Sequence, residues 1–295
     1  MTRTRKLIRL SLALSVGLLG SQLVHVAPAA AAVPGLVRIS ATSVNDSSDP
    51  KTVTAHCPDE TVLLSAGYQI NGATGEAVVD DLPLTNSASV TVVAYEEDPF
   101  AGNWNLTAYA ICAEELSGLE RITEISSTES QGFKGATVAC DIGKALIGGG
   151  FVITGATGEA LIDDILPSSN VGLEPHTVAV TAYETDLDYP ANWSVTTHAT
   201  CAYPPTGLIR RSATSTTSSA DSRSVTASCL GDEVLVGAGY QIHGGLGDVV
   251  IDDMRPNGDA TTAPTSVTLS AYETDPNFLT DWDITAHAVC ADIAD

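Results

Sequence analysis

Short runs in which apolar and polar residues alternate recur along most of the chain, and they predict strands. Thr52-Val53-Thr54-Ala55-His56-Cys57 and Ser89-Val90-Thr91-Val92-Val93-Ala94-Tyr95 are rich in Val, Thr and Tyr, side chains that suit a pleated, half-buried surface. Trp104-Asn105-Leu106-Thr107-Ala108-Tyr109-Ala110 alternates in the same way and puts Trp104, Leu106 and Ala108 on one face. Two more runs, 62–70 and 76–82, are separated by Asn71-Gly72 and Gly75, which predicts a hairpin loop between them. After residue 32 no segment carries a helical period. The expectation is an all-β chain.

The pattern repeats. Gly35-Leu36-Val37-Arg38 returns as Gly118-Leu119-Glu120-Arg121 and Gly207-Leu208-Ile209-Arg210. Asp80-Asp81 returns as Asp163-Asp164 and Asp252-Asp253, and Ala94-Tyr95-Glu96 as Ala182-Tyr183-Glu184 and Ala271-Tyr272-Glu273. Trp104, Trp193 and Trp282 each stand eight residues before a Cys. The period is 83 residues, then 89. So many positions recurring together define three copies of one unit, at 33–116, 117–205 and 206–295, each with about six strands and sandwich-like. Five-residue connectors join the copies, the second stiffened by Pro204-Pro205. They predict close neighbours, packed about a pseudo-threefold axis or in a rigid line.

Residues 1–32 read differently. Arg3, Arg5, Lys6 and Arg9 precede an apolar run from Leu10 to Leu19, and Ala29-Ala30-Ala31-Ala32 closes the segment. That is the layout of a cleaved signal peptide, too short for a membrane span, and it predicts a secreted protein. The chain holds 13 Lys+Arg and 36 Asp+Glu. Four of those cations and none of the acids lie in 1–32, which leaves −27 on the remainder. Such a field repels phosphate backbones and anionic lipid, and it excludes nucleic acid as the expected partner. Export also suits six cysteines, two per copy, as a disulfide framework. Two pairings respect the repeat. One joins Cys57 to Cys112, Cys140 to Cys201 and Cys229 to Cys290; the other shifts every bond to link neighbouring copies. Modular folding favours the first.

Candidate chemistry concentrates on the acids. Each copy offers an Asp pair at a strand end and a Glu and Asp further on: Asp80, Asp81, Glu96 and Asp98; Asp163, Asp164, Glu184 and Asp186; Asp252, Asp253, Glu273 and Asp275. Calcium takes six to eight oxygens, and these four could contribute if the two loops meet, with one Asp of each pair pointing away. Solvated turn residues are the alternative. Arg38, Arg121 and Arg210 recur too, and a structural guanidinium held by carboxylates is expected, with an anionic ligand contact as the alternative. The three Trp are expected in the core near the bridges. Gly148-Gly149-Gly150 shares its slot with Ser65-Ala66-Gly67 and Gly237-Ala238-Gly239, small residues that allow close strand packing. His198 and His287 align with Tyr109, so no imidazole is common to all copies. Nucleophile-elbow, zinc-protease and phosphate-loop motifs do not occur.

The run Cys57-Pro58, Leu64-Ser65-Ala66-Gly67-Tyr68 and Trp104-Asn105-Leu106-Thr107-Ala108-Tyr109-Ala110-Ile111-Cys112-Ala113 resembles a secreted β-rich module common in actinobacteria. The likeness extends over the three copies, although Asp141 and Leu230 replace Pro58 in the second and third. Similar modules occur alone or beside collagen-like segments, which implies a trimer-forming cap. Here the three would be fused. The resemblance implies no activity, cofactor or catalytic residue. The expected function is a non-enzymatic extracellular binding or structural protein, multivalent for a cell-surface or matrix polymer. The alternative is a secreted inhibitor or toxin-associated adaptor, working through one variable loop among 86–88, 167–175 and 257–265.

Overall fold

The computed structural model describes residues 32–168, 174–185, 189–275 and 278–294. The expected signal peptide therefore lies outside the described residues but for Ala32. The described chain is all-β, with 18 strands. The first copy supplies β1 (Val37–Thr42), β2 (Lys51–His56), β3 (Val62–Asn71), β4 (Ala77–Leu82), β5 (Ser89–Glu96) and β6 (Asn105–Ala113). The second supplies β7 (Glu120–Ile125), β8 (Phe133–Ala139), β9 (Ala145–Thr154), β10 (Ala160–Ser168), β11 (Thr177–Glu184) and β12 (Ser194–Ala202). The third supplies β13 (Ile209–Thr214), β14 (Ser222–Ser228), β15 (Glu233–His243), β16 (Val249–Pro256), β17 (Ser266–Glu273) and β18 (Asp283–Asp292).

These strands form three antiparallel sheets of six, in the orders β1-β6-β3-β16-β17-β14, β2-β5-β4-β9-β12-β7 and β13-β18-β15-β10-β11-β8. Each sheet is half from one copy and half from another. The joints are equivalent: Asp81 and Leu82 pair with Val152 and Phe151, Asp164 and Ile165 with Gln241 and Tyr240, Asp253 and Met254 with Gln69 and Tyr68. Copy one thus joins copy two, two joins three, and three joins one, a closed ring with pseudo-threefold pairing. The linear arrangement is ruled out.

The ring overturns the hairpin expected at 71–76. β3 and β4 are not partners, because each is claimed by a strand of a different neighbouring copy. The loop is instead a crossover between sheets. Its turn chemistry was read correctly, since Gly72 and Gly75 take φ of 103° and 73°, a backbone that only glycine adopts without strain.

Small residues let the copies approach this closely. A Cβ on Gly67, Gly150 or Gly239 would collide with the carbonyl oxygen of Met254, Leu82 or Ile165 in the adjoining copy. One on Gly148 would lie 2.6 Å from the Leu64 oxygen. Around the axis Val78, Leu161 and Val250 pack on one another, and Tyr68 donates a 3.3 Å hydrogen bond to Tyr240. The remaining core is one continuous cluster running from Val33 to Ala291 through all three copies.

The disulfides are Cys57–Cys112, Cys140–Cys201 and Cys229–Cys290, so the pairing within copies holds. Each bridge joins the end of one copy's half-sheet to its facing half-sheet. Because those halves belong to different six-stranded sheets, the three bridges also staple the sheets in a cycle. Such cystines form in oxidising compartments and agree with an extracellular protein.

Candidate functional site

The recurrent polar residues gather at the joints between copies. At each Asp pair the ladder slips: Val79 pairs with Ala94 but Asp81 with Val93, and the same break falls between Ile162 and Asp164 and between Ile251 and Asp253. The first Asp is therefore the extra residue of a β-bulge, which re-aims side chains. Simple alternation, from which one Asp was expected to point away, does not apply here.

Asp80, Asp163 and Asp252 are 2%, 4% and 1% exposed. Asp80 Oδ2 accepts the Gly158 N–H of copy two at 3.3 Å, and Asp252 Oδ2 that of Gly75 in copy one at 3.2 Å. Their Oδ1 atoms have no hydrogen-bond partner among the described residues. Burial, then the adjacent Asp81 or Asp164 carboxylate, pushes Asp80 and Asp163 up to about 8. Burial raises Asp252 well above its ordinary value and moves Asp81 to about 6. Asp164 and Asp253 are raised by burial as well. With values of about 8, Asp80 and Asp163 keep their protons at neutral pH.

The glutamates serve elsewhere. Glu96, Glu184 and Glu273 accept the indole N–H of Trp104, Trp193 and Trp282 at 2.9, 2.7 and 2.7 Å. All three indoles are fully buried, as expected. A cation covers each ring: Lys51 at 5.2 Å, Lys134 at 5.2 Å and Arg223 at 4.7 Å from the centroids. These three residues recur at the same 83 and 89 spacing, a signal that the change from Lys to Arg concealed. Asp98 and Asp275 are exposed, and Asp186 lies outside the described residues. Among the described residues, the only three potential ligand atoms within 4.8 Å of one another belong to Cys229, Glu233 and Cys290. Two of those are a disulfide. Among the described residues the acids named for calcium are thus not brought into one cluster: each copy divides them between a buried Asp beside a half-buried one and a Trp-bound Glu.

Arg38, Arg121 and Arg210 bind backbone carbonyls and not carboxylates, a correction to the sequence expectation. Arg38 Nε donates to the Gly258 oxygen at 2.7 Å, Arg121 Nη2 to that of Leu63 at 2.7 Å, and Arg210 to that of Pro167. Every acceptor lies in the preceding copy of the ring, so each guanidinium bolts one joint. Position 109/198/287 sits on the adjacent strand. Arg38 stacks 4.8 Å over Tyr109, while His287 is lowered to about 4 by burial, helped by the Arg210 charge. His198 is also lowered by burial.

One joint opens into a pocket. Arg38 and Tyr109 of copy one, with Arg255, Pro256, Asn257 and Thr268 of copy three, enclose about 320 Å³. Arg255 is exposed, and the corresponding residues of the other copies are Pro83 and Leu166. A second hollow of about 440 Å³ is lined by Gly35, Asp59, Glu60, Thr61, Glu114 and Glu115. The chain matches neither the models of known protein families nor any curated protein compared with it.

Proposed function

We propose that the chain is a secreted, non-enzymatic binding protein that holds three similar joints in fixed relation and presents them to an extracellular polymer. The single observation behind this reading is the cyclic repetition of one joint, an arginine bolt beside an aromatic or imidazole ring, across sheets that cannot move independently. Rigid presentation of equivalent weak sites raises avidity without any new contact. The actinobacterial module that the sequence resembles fits the same reading, with trimer formation replaced by covalent fusion. A signal peptide at 1–32 would deliver the protein to the compartment in which its cystines persist.

Retention on purified insoluble polysaccharides and on cell-wall preparations, with calcium and with chelator, tests the proposal. Retention that falls when the three copies are disabled one by one supports it; no retention under either condition refutes it. The adaptor alternative draws support from one asymmetry, the unique Arg255 at the base of loop 257–265. It predicts that replacing this loop abolishes binding to a protein partner while replacing 86–88 does not.

A further inference from the structure

We propose that the pocket between copies one and three binds an oxyanion carried by a sugar-sized ligand, with the carboxylate, sulfate or phosphate group held by Arg38 and Arg255. The inference rests on the binding-protein reading and names the chemistry of one of its joints.

Cations are scarce in this chain. Only nine Lys and Arg follow residue 32, and eight have a structural task. Arg38, Arg121 and Arg210 hold carbonyls across joints. Lys51, Lys134 and Arg223 cover the buried indoles. Lys144 pairs with Glu120, and Arg211 Nε binds Glu233 at 2.6 Å. Arg255 is the ninth. Among the described residues it takes part in no ion pair, and it stands exposed on the wall of a pocket.

That wall is built for a ligand with both a charge and a body. Arg38 donates through Nε and Nη2 to Gly258, which orients the guanidinium and leaves both Nη1 N–H groups and the second N–H of Nη2. That free Nη1/Nη2 edge of the plane matches the two oxygens of an oxyanion. The Tyr109 ring and Pro256 provide apolar surface; Asn257 and Thr268 also line the pocket, their side chains held by Thr265 and Thr226. The volume is at the lower end of small-ligand pockets, about 300–1,000 Å³, and suits one sugar unit. Both arginines line the same pocket; burial lowers Arg38 most, Tyr109 and Asp259 raise it, and the Arg255 charge, the smallest of the four contributions, lowers it again. The acids nearby are Asp259, which interacts with Arg38, and Asp253, which interacts with Arg255. The other two joints lack the second arginine, so the site breaks the threefold symmetry and a single ligand per chain is expected.

Isothermal titration with glucuronate, glucose 6-phosphate and uncharged glucose tests the proposal on the full secreted chain. One equivalent of an anionic sugar should bind, with glucose at least about ten-fold weaker, and the two anions separate a carboxylate from a phosphate preference. Arg255→Leu installs the residue of the second copy and should weaken binding about ten-fold or more, and Arg255→Lys less. Since Arg255 is exposed, both variants should keep the parental melting temperature; if the leucine variant does not, Arg255→Gln replaces it in the comparison. Absence of saturable binding by either anionic sugar, or equal binding by the Arg255 variants, overturns the site. Polymer retention that survives in Arg255→Leu leaves the binding-protein reading intact, whereas anion binding without any polymer retention removes that reading and keeps the pocket.

Discussion

Replacing Asp80, Asp163 and Asp252 together by Asn should flatten the dependence of stability on pH. A carboxyl moved from its ordinary 3.8 to about 8, as Asp80 and Asp163 are, favours the neutral form by about 6 kcal/mol at 1.36 kcal/mol per pH unit. The folded chain binds these protons more tightly than the unfolded chain. The contribution is therefore whole below about pH 4, shrinks as the pH rises, and is gone above about pH 8. Against a net stability of about 5–15 kcal/mol for a typical domain, a slope of that size dominates the alkaline limb. Asn is neutral throughout, and its amide oxygen can still accept the Gly158 or Gly75 N–H. Asp81 adds a slope of its own through a group at about 6, but it does so in both proteins and cancels in the difference. Urea unfolding followed by fluorescence of the three buried Trp, at pH 5 and at pH 8.5, measures the effect. The parent should lose at least about 3 kcal/mol more than the triple variant over this interval, a conservative half of one group's figure. Parallel profiles would show that these carboxyls are not held protonated by the fold, and the reasoning would fail.

Three further outcomes follow from the same geometry. Gly150→Ala should destabilise by about 1–3 kcal/mol, read as a lower urea midpoint, because its new Cβ meets the Leu82 carbonyl oxygen of the adjoining copy. Lys51→Met should cost more than Lys134→Met in thermal denaturation: Lys51 Nζ bonds Asp46 and Ser48, whereas Lys134 Nζ reaches Glu129 only at 3.8 Å and a buried cation so poorly paired contributes little. Removing the Cys57–Cys112 bridge by double Ser substitution should cost about 4 kcal/mol on the chain-entropy account for a loop with a separation of 55 residues, measured by unfolding under matched conditions.

The sequence announced the β class and the three copies, favoured cystines within copies over a shifted pairing, and placed the tryptophans in the core. Those features depend on local period and on spacing, which a single chain displays. Strand exchange was hidden, because alternation reports which face of a strand is buried and is silent on which strand lies beside it. The segment 62–82 carries a perfectly acceptable hairpin composition, and only the capture of β4 by β9 and of β3 by β16 decides otherwise. The Asp pairs are visible in the sequence, yet their bulge is not, because a one-residue slip of the ladder leaves the composition of the run unchanged. The recurrent cation over each Trp was legible at 51, 134 and 223 and went unnoticed because its identity changes. Arg255 offered no signal at all, since a reading built on recurrence passes over a residue found in one copy.

The exchange of strands also orders events during biosynthesis. β3 must wait for β16, whose first residue paired with it is Asp253, against Gln69, so β1, the first strand to leave the ribosome, belongs to a sheet that cannot be finished until β17 has followed. Contacts of such long range slow folding, and until they form, a partial chain carries unpaired edges able to capture other chains. Translocation in an extended state, with assembly only after the final strand arrives, would spare the cell that interval.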